Sequence, residues 1–324
     1  MNLDGYYSPD RQSIDNLAMN NELYLRDLRV LCTVARRGSF IAAAAELGTS
    51  PPYVSKRIAA LEAMWGVQLF HRTTRRVAVT EDGDIAYNRA RRILEEVEEM
   101  NDLLAGGERE PRGMLRMSTS LRLGRLHITP ILSVLRTRYT ELDIWLELVD
   151  RRVDLAGENF DLDIRVGDVQ EASVIPHKIA ESTRVLCASP RYVETRGAPR
   201  SLPDLVQHDC LAFRDRQQAF GVWQLTGPNG TEAVKVTGPM ASNQSDIVRE
   251  WALDGHGIIM ASEWDVADSI ESGGLMRILP EYSRPADVWA VSTARSSASA
   301  KVRVAVDFLR QQLSDGPFAL RRLW

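Results

Sequence analysis

The stretch that decides the fold is AAAAELGTSPPYVSKRIAALE, residues 42–62. Alanine, leucine and glutamate favour helix on both sides, but Gly48, Thr49, Ser50 and two successive prolines interrupt the pattern at its centre. Pro52 disfavours helical angles at Pro51, while its own fixed φ suits a first helical turn. Pro51 is therefore expected as the cap and Pro52 as the first residue of a new helix. With Gly48 closing the helix before it, the segment reads as two helices, 40–47 and 52–65, joined by a short turn: the helix-turn-helix plan.

In that plan the second helix lies in the DNA major groove, with its first turns against the base edges. Val54, Ile58, Leu61 and Trp65 recur at helical spacing and are expected in the core. That leaves Tyr53, Ser55, Lys56 and Arg57 facing outward. Lys and Arg donate to guanine or to phosphates, Ser adapts to either role, and Tyr adds a ring and a hydroxyl. A helical hairpin with a solvated basic face is the plainer alternative, and the next residues argue against it. WGVQLFHRTTRRVAVTEDG, residues 65–83, supplies a strand, a basic turn bearing Arg72, Thr74, Arg75 and Arg76, and a second strand. A hairpin tipped with arginine beside such a helix is a wing, placed to contact phosphates or the minor groove.

Charge separates this head from the rest of the chain. The formal net charge is −4, yet residues 23–92 hold 12 Lys and Arg against 6 Asp and Glu. The head alone is expected to meet an anionic partner. Residues 1–22 read as a polar, disordered tail. No run approaches eighteen apolar residues, and the N-terminus lacks the basic start and apolar centre of a signal peptide, so a cytoplasmic protein is expected. Cys32, Cys187 and Cys210 are odd in number, far apart and set among apolar neighbours, which reads as buried reduced thiols.

From about Glu81 to Leu104 a single long helix is expected, with Thr80 as N-cap and Gly106 and Gly107 as the stop. Its stripe of Ala86, Ala90, Ile93, Leu94, Val97, Met100 and Leu104 has no core of its own in a linker, so it is expected to pair with the same helix of a second chain. Beyond residue 113 strands and helices alternate as in an α/β fold. Strands are expected at 114–118, 144–149, 162–167, 184–189, 234–238, 257–262, 275–279 and 288–293. WQLTGPNGTEAVKVTG, residues 223–238, reads as a hairpin centred on Asn229-Gly230.

Residues 25–83 resemble the LysR-type transcriptional regulators. The Gly-Ser-Phe, the Ala-Ala before Glu-Leu-Gly, the Val-Ser ahead of Arg-Ile, the Leu-Glu and the block GVQLF-x-RTTR carry the resemblance. DRRVDLAGENFDLDIRVGD, CASPRYVETRG and SEWDV are similar to the subgroup that includes regulators of tartrate and malate metabolism. One departure touches the opening stretch: the family commonly has polar residues, often Gln-Ser, where this chain has Pro51-Pro52. Two donors are lost there, so readout is expected on Tyr53, Lys56 and Arg57, with at most apolar base contact from Pro51 or Pro52 and the turn residue Ser50 beside them.

The resemblance implies an α/β protein of three parts. These are a winged helix-turn-helix head (23–80), a dimerising linker helix (81–107) and a sensor of two subdomains resembling type 2 periplasmic binding proteins. The subdomains are expected at 113–183 with 286–324, and at 184–285. It implies a dimer or tetramer that binds double-stranded promoter DNA, with RNA polymerase a further possible partner, and a small-molecule effector held between the subdomains. In such folds anions sit at strand ends where helices begin. Two places combine these features, giving Ser118, Ser120, Leu121, Arg122 and Arg125 on one side and Ser242, Asn243 and Ser245 on the other. Arg165, Phe213 and Ser262 are expected beside them. For each arginine a structural ion pair is the alternative role. The Arg and Ser content, with the subgroup resemblance, favours a four-carbon dicarboxylate or an acidic amino acid; an uncharged or aromatic effector is the alternative.

The sequence offers no nucleophile motif, phosphate loop or metal-ligand spacing: His71, His127, His177, His208 and His256 are scattered. No catalytic residue, cofactor or metal is therefore expected, and an enzyme acting on an organic acid is disfavoured. A solute-binding protein is disfavoured by the basic head.

Overall fold

The computed structural model describes residues 25–72, 77–104, 110–213 and 221–320, excepting the side chains of Arg72, Glu99, Asp102, Leu103, Leu104 and Arg295. The expected tail at 1–22, the wing residues Thr74, Arg75 and Arg76, and the glycines at 106 and 107 lie outside the described residues. The chain divides into two compact units, 1–106 and 107–324.

In the first unit α1 (residues 25–37), α2 (Phe40–Glu46) and α3 (Pro51–Trp65) enclose a core of Leu28, Leu31, Val34, Ala43, Ala44, Val54, Ile58 and Leu61. Ala43 and Ala44 present almost no side chain, which lets α2 approach α3 closely. The cap of α3 corrects the expectation by one residue. Ser50 is extended and its hydroxyl accepts from the Tyr53 amide at 3.4 Å, so Pro51 is the first helical residue. A serine cap supplies an acceptor that proline lacks, and Pro51 at the first position has no N–H left to satisfy. Gly66 ends α3 in the left-handed conformation (φ 69°).

Strands β1 (Phe70–Arg72) and β2 (Val77–Val79) pair antiparallel, Phe70 opposite Val79 and Arg72 opposite Val77. The Glu62 carboxylate of α3 accepts from the Leu69 amide at 3.0 Å, tying the hairpin to the helix. Then α4 (Glu81–Leu104) begins where expected: the Thr80 hydroxyl accepts from the Gly83 amide at 3.0 Å. A Cβ at Gly83 would lie 2.0 Å from the Leu69 carbonyl, so only glycine lets this turn pass the hairpin.

The apolar stripe of α4 is not wholly without a partner in its own chain. Ala86, Ala90 and Leu94 pack on the head core, while Ile85, Ile93 and Met100 stay exposed at 59%, 39% and 52%.

The second unit contains two sheets. One has the order β4-β3-β5-β15-β6, from β3 (Gly113–Thr119), β4 (Leu142–Leu148), β5 (Leu162–Val166), β6 (Ile175–Ala180) and β15 (Val288–Ser292). In it β3 runs parallel to β4 and β5, and β15 antiparallel to β5 and β6. Its core joins Leu115, Met117, Ile164, Val288 and Ala290 to α6 (Thr129–Arg138) and α11 (Ala300–Ser314). Ahead of α6 come α5 (Leu121–Leu123) and a π-helical turn, Gly124–Ile128.

The other sheet is built on β7 (Thr183–Ala188), flanked by β12 (Ile259–Ser262) and β13 (Met276–Ile278), with β14 (Arg284–Pro285) pairing at its start. Around it lie α7 (Pro190–Arg196), the short strands β8 (Ala212–Phe213) and β11 (Ala241–Ser242), the hairpin β9–β10 (Val222–Gly227, Gly230–Lys235), α8 (Ser245–Leu253), α9 (Glu263–Glu271) and, back beside β15, α10 (Ala294–Ser297). The hairpin turn is Pro228-Asn229, one residue earlier than expected, because Gly230 with φ 103° already pairs with Gly227. Trp223 is buried in this half's core.

The chain passes between the sheets twice, from β6 to β7 and from β14 to β15. These crossings are bonded to each other: the Ala286 amide donates to the Ser182 carbonyl at 2.8 Å, and the Ser182 amide to an Asp287 carboxylate oxygen at 3.3 Å.

Candidate functional site

In the head, burying Val54, Ile58 and Leu61 turns the opposite face of α3 to solvent. Pro51, Pro52 and Lys56 are exposed, and Tyr53 and Ser55 half-buried. Arg57 departs from expectation. Its guanidinium donates through Nε and Nη2 to both carboxylate oxygens of Asp27 on α1, and only 17% of its side chain is exposed. Asp27 is buried, and a buried carboxylate requires a paired charge, so Arg57 is drawn inward as a staple between α1 and α3. The exposed cationic contact on the first turns of α3 is Lys56.

In the second unit a cavity of about 470 Å³ opens between the two sheets. One wall comes from the ends of β4 and β5, the other from β12, α8 and the start of α9. Ser120, Arg165, Phe213, Ser245 and Ser262 line it, as expected. Ser120 and Ser262 are the N-caps of α5 and α9, Ser245 is the first residue of α8, and neither cap hydroxyl makes a capping bond. Three helix starts thus face one cavity, a favourable setting for an anion, although the Leu121 amide at the first of them is already bound to Asp150.

Six other expected residues do not line it. Ser118 is fully buried and donates to Asp163 Oδ1 at 2.7 Å. Leu121 gives only its amide, at 3.3 Å, to Asp150 Oδ1. Arg125 is exposed, because the π turn rotates it away from the strand ends. The Ser242 hydroxyl accepts from the Gln244 amide at 3.1 Å, and Asn243 is exposed. Arg122 crosses instead to the other half, where Nε meets Asp265 Oδ1 at 2.6 Å and Nη1 lies 3.2 Å from Asp246 Oδ1. Burial pushes the Asp265 carboxyl up, and Arg122 and Arg249 oppose that shift.

Arg165 holds Asp163 and Glu171, each at 2.6 Å. Burial pushes the Asp163 carboxyl up, against the hydrogen bonds from Arg165 and Ser118. Sequence reasoning missed Arg151, Arg152, Arg184, Arg249 and Arg284, which with Arg165 make six arginines on the lining against four aspartates, Asp150, Asp163, Asp168 and Asp265. Arg249 had a legible signal, one helical turn beyond Ser245 on α8. Val222, at the start of β9, also lines the cavity.

Among the described residues no His, Cys, Asp or Glu cluster is arranged to hold a metal, and no helix is long and apolar enough to cross a membrane. All three cysteines are free, and burial pushes each thiol up to about 12, which removes the thiolate needed for reactivity.

A winged helix-turn-helix joined to a two-sheet sensor whose cavity is lined by arginines defines a ligand-responsive DNA-binding protein. The comparisons agree: residues 25–84 match the profile described as "Bacterial regulatory helix-turn-helix protein, lysR family", and 108–314 the "LysR substrate binding domain". The chain belongs to the LysR family of transcriptional regulators, and its domains and relatives are those of regulators rather than enzymes. It is 49% identical to the HTH-type transcriptional regulator DmlR of Escherichia coli strain K12 over 297 residues, 92% of this chain and 97% of DmlR. To the HTH-type transcriptional activator TtdR of the same strain it is 41% identical over 291 residues, 90% of this chain and 94% of TtdR. Among solved structures, the LysR-type regulator CrgA of Neisseria meningitidis is 26% identical with a TM-score of 0.57, covering 90% of this chain and 99% of CrgA. Full-length AphB of Vibrio cholerae is 26% identical with a TM-score of 0.53, covering 88% and 98%.

Proposed function

We propose that this regulator answers to a small dicarboxylate, of the size of tartrate or malate, bound in the cavity between its two sheets. The observation that carries this reading is the lining itself: six arginines against four aspartates, with three helix starts facing inward. Kinship with DmlR and TtdR supports it, since both fit the subgroup the sequence resembles. Effector binding changes the angle between the two halves, bounded at 183 and 286, and so changes how paired heads sit on a promoter. On DNA, Tyr53, Ser55 and Lys56 read the major groove, Pro51 and Pro52 offer apolar contact, and Arg72, Thr74, Arg75 and Arg76 hold the backbone. Two chains pair through α4 as a dimer or, twice over, a tetramer, acting in the cytoplasm with RNA polymerase as partner. Calorimetry of the full chain against a panel of small acids tests the effector: saturable heat from diacids is expected, and heat only from uncharged or aromatic compounds would reject it.

A further inference from the structure

A row of polar side chains crosses the second sheet where it meets the cavity. Ser262 on β12 stands opposite Arg184 on β7, and Arg184 in turn opposite Arg284 on β14. Residues directly opposite on adjacent strands put their side chains on the same face, about 5 Å apart. All three line the cavity, so two arginines stand side by side on its wall. Like charges in that position repel, and an anion set between them turns the repulsion into charge-assisted hydrogen bonds.

Both arginines reach one turn of the other half. A Cβ at Gly167 would lie 3.9 Å from Arg184 Nη2, and Arg284 Nη2 donates to Asp168 Oδ2 at 3.3 Å. Gly167 and Asp168 follow β5, and Gly167, with φ 100°, donates its amide to the Asp287 carbonyl at 2.9 Å, beside the crossing from β14 to β15. The carboxylate on Arg284 is thus supplied by the chain itself, from the opposite half, close to where the halves are joined. It is a weakly held occupant. The Asp168 side chain is 64% exposed against 19% for Arg284, one guanidinium nitrogen holds it, and an exposed pair of this kind contributes little. Arg165 makes the contrast, since it binds the buried Asp163 and also Glu171 at 2.6 Å each, contacts that a ligand would break at greater cost.

From this we infer that Asp168 is a built-in competitor for the effector. Without ligand its carboxylate sits on Arg284; the effector's carboxylate displaces it and spans Arg184 and Arg284 with its two oxygens. This role rests on the dicarboxylate reading above and adds a release step to it. Once displaced, the Gly167–Asp168 turn loses its tie to the second half beside the crossing, so the change in angle between the halves starts at their joint.

Removing the competitor leaves the two arginines unblocked, so Asp168→Ala should bind a diacid about two- to fivefold more tightly than wild type, the strength of an exposed ion pair. Arg284→Gln removes half of the clamp and should weaken binding at least about tenfold. In the Arg284→Gln background Asp168 has nothing to block, so adding Asp168→Ala should change nothing. Calorimetry with malate, tartrate and succinate on the full-length wild type, both single variants and the double variant, each first shown to melt cooperatively, reads all three. An Asp168→Ala affinity equal to or weaker than that of a wild type that does bind a diacid overturns the competitor and leaves the dicarboxylate reading standing. The same gain from Asp168→Ala with and without Arg284 means that the carboxylate acts only through its charge in the cavity, and overturns the competitor as well. Should Arg284→Gln not fold, Asp168→Ala against wild type still decides, since an exposed side chain can be removed without touching the core. No heat from any of the three diacids, in wild type or variants, overturns both.

Discussion

Arg57 and Lys56 are neighbours on α3 with opposite fates. The Arg57 guanidinium is spent on the buried Asp27, whereas Lys56 stands exposed. Arg57→Ala strands a buried carboxylate at a cost of about 3 kcal/mol, so the head should melt early and DNA affinity should fall alike on operator and random sequence. Lys56→Ala leaves the core untouched and should cut binding to the operator more than to random DNA, with a loss of about 1–3 kcal/mol. Thermal melts with binding to both DNAs at fixed salt separate the two; a loss confined to the operator in the Arg57 variant would show that it reads bases after all. A second residue carries a pH signature. Asp150 has its folded pKa raised by burial, with the Leu121 amide opposing and Asp246 adding to the shift. A carboxyl raised in the folded state stabilises the fold while protonated, and that contribution is lost as pH rises from the unfolded value of 3.8 through the folded one. Asp150→Asn cannot ionise, so without effector it should be more stable than wild type at pH 7, with the gap narrowing toward pH 4 in denaturant melts.

The elements were legible from sequence wherever one local pattern settled them. The stripe Val54, Ile58 and Leu61 set the buried face of α3, and Thr80 set the start of α4. Apolar runs gave β7, β12 and β15. The failures lie where the local pattern is broken or where tertiary partners compete for a residue. Strand β6 was missed because Pro176, His177 and Lys178 break the apolar pattern, and it lies at a sheet edge, where proline is tolerated. The cavity was half legible: serines at helix starts carry a local signal, but Arg184 and Arg284 reach it only through the pairing of β14 with β7. Arg122 is the instructive error, since its spacing after Ser120 suggested a ligand contact while Asp265 and Asp246 on α9 and α8 claim it. As a clasp between the halves it has a testable role. Arg122→Ala should leave Asp265 short of its main partner and lower the melting temperature by roughly 5–10 °C. Arg122→Lys should recover only part, since an ammonium cannot make both contacts as a fork. A melting temperature unchanged in Arg122→Ala would mean the clasp bears no load.

At the scale of the molecule, one recognition helix contacts too few bases to single out a promoter, so pairing of chains governs function. In the function proposed above, the surface for that pairing is on α4. Its N-terminal half spends Ala86, Ala90 and Leu94 on the head, while Ile93 and Met100, seven residues apart, remain exposed on one stripe. Seven residues is one heptad, and apolar residues repeated at that spacing pack knobs-into-holes against a like helix. The same segment carries Glu95, Glu96 and Glu98, which flank the stripe and repel in any register that opposes them, favouring pairings that set them against arginines such as Arg89 and Arg92. Ile93→Glu with Met100→Glu adds like charge to the stripe and removes its apolar area. Neither side chain belongs to the head core, so the head should fold and melt as before. Sedimentation at micromolar concentration should then show monomers. Affinity for a full operator should fall to that of an isolated half-site, and the salt slope should shrink because half the phosphate contacts are gone. A double variant that stays dimeric with operator affinity intact would place the pairing surface elsewhere in the chain.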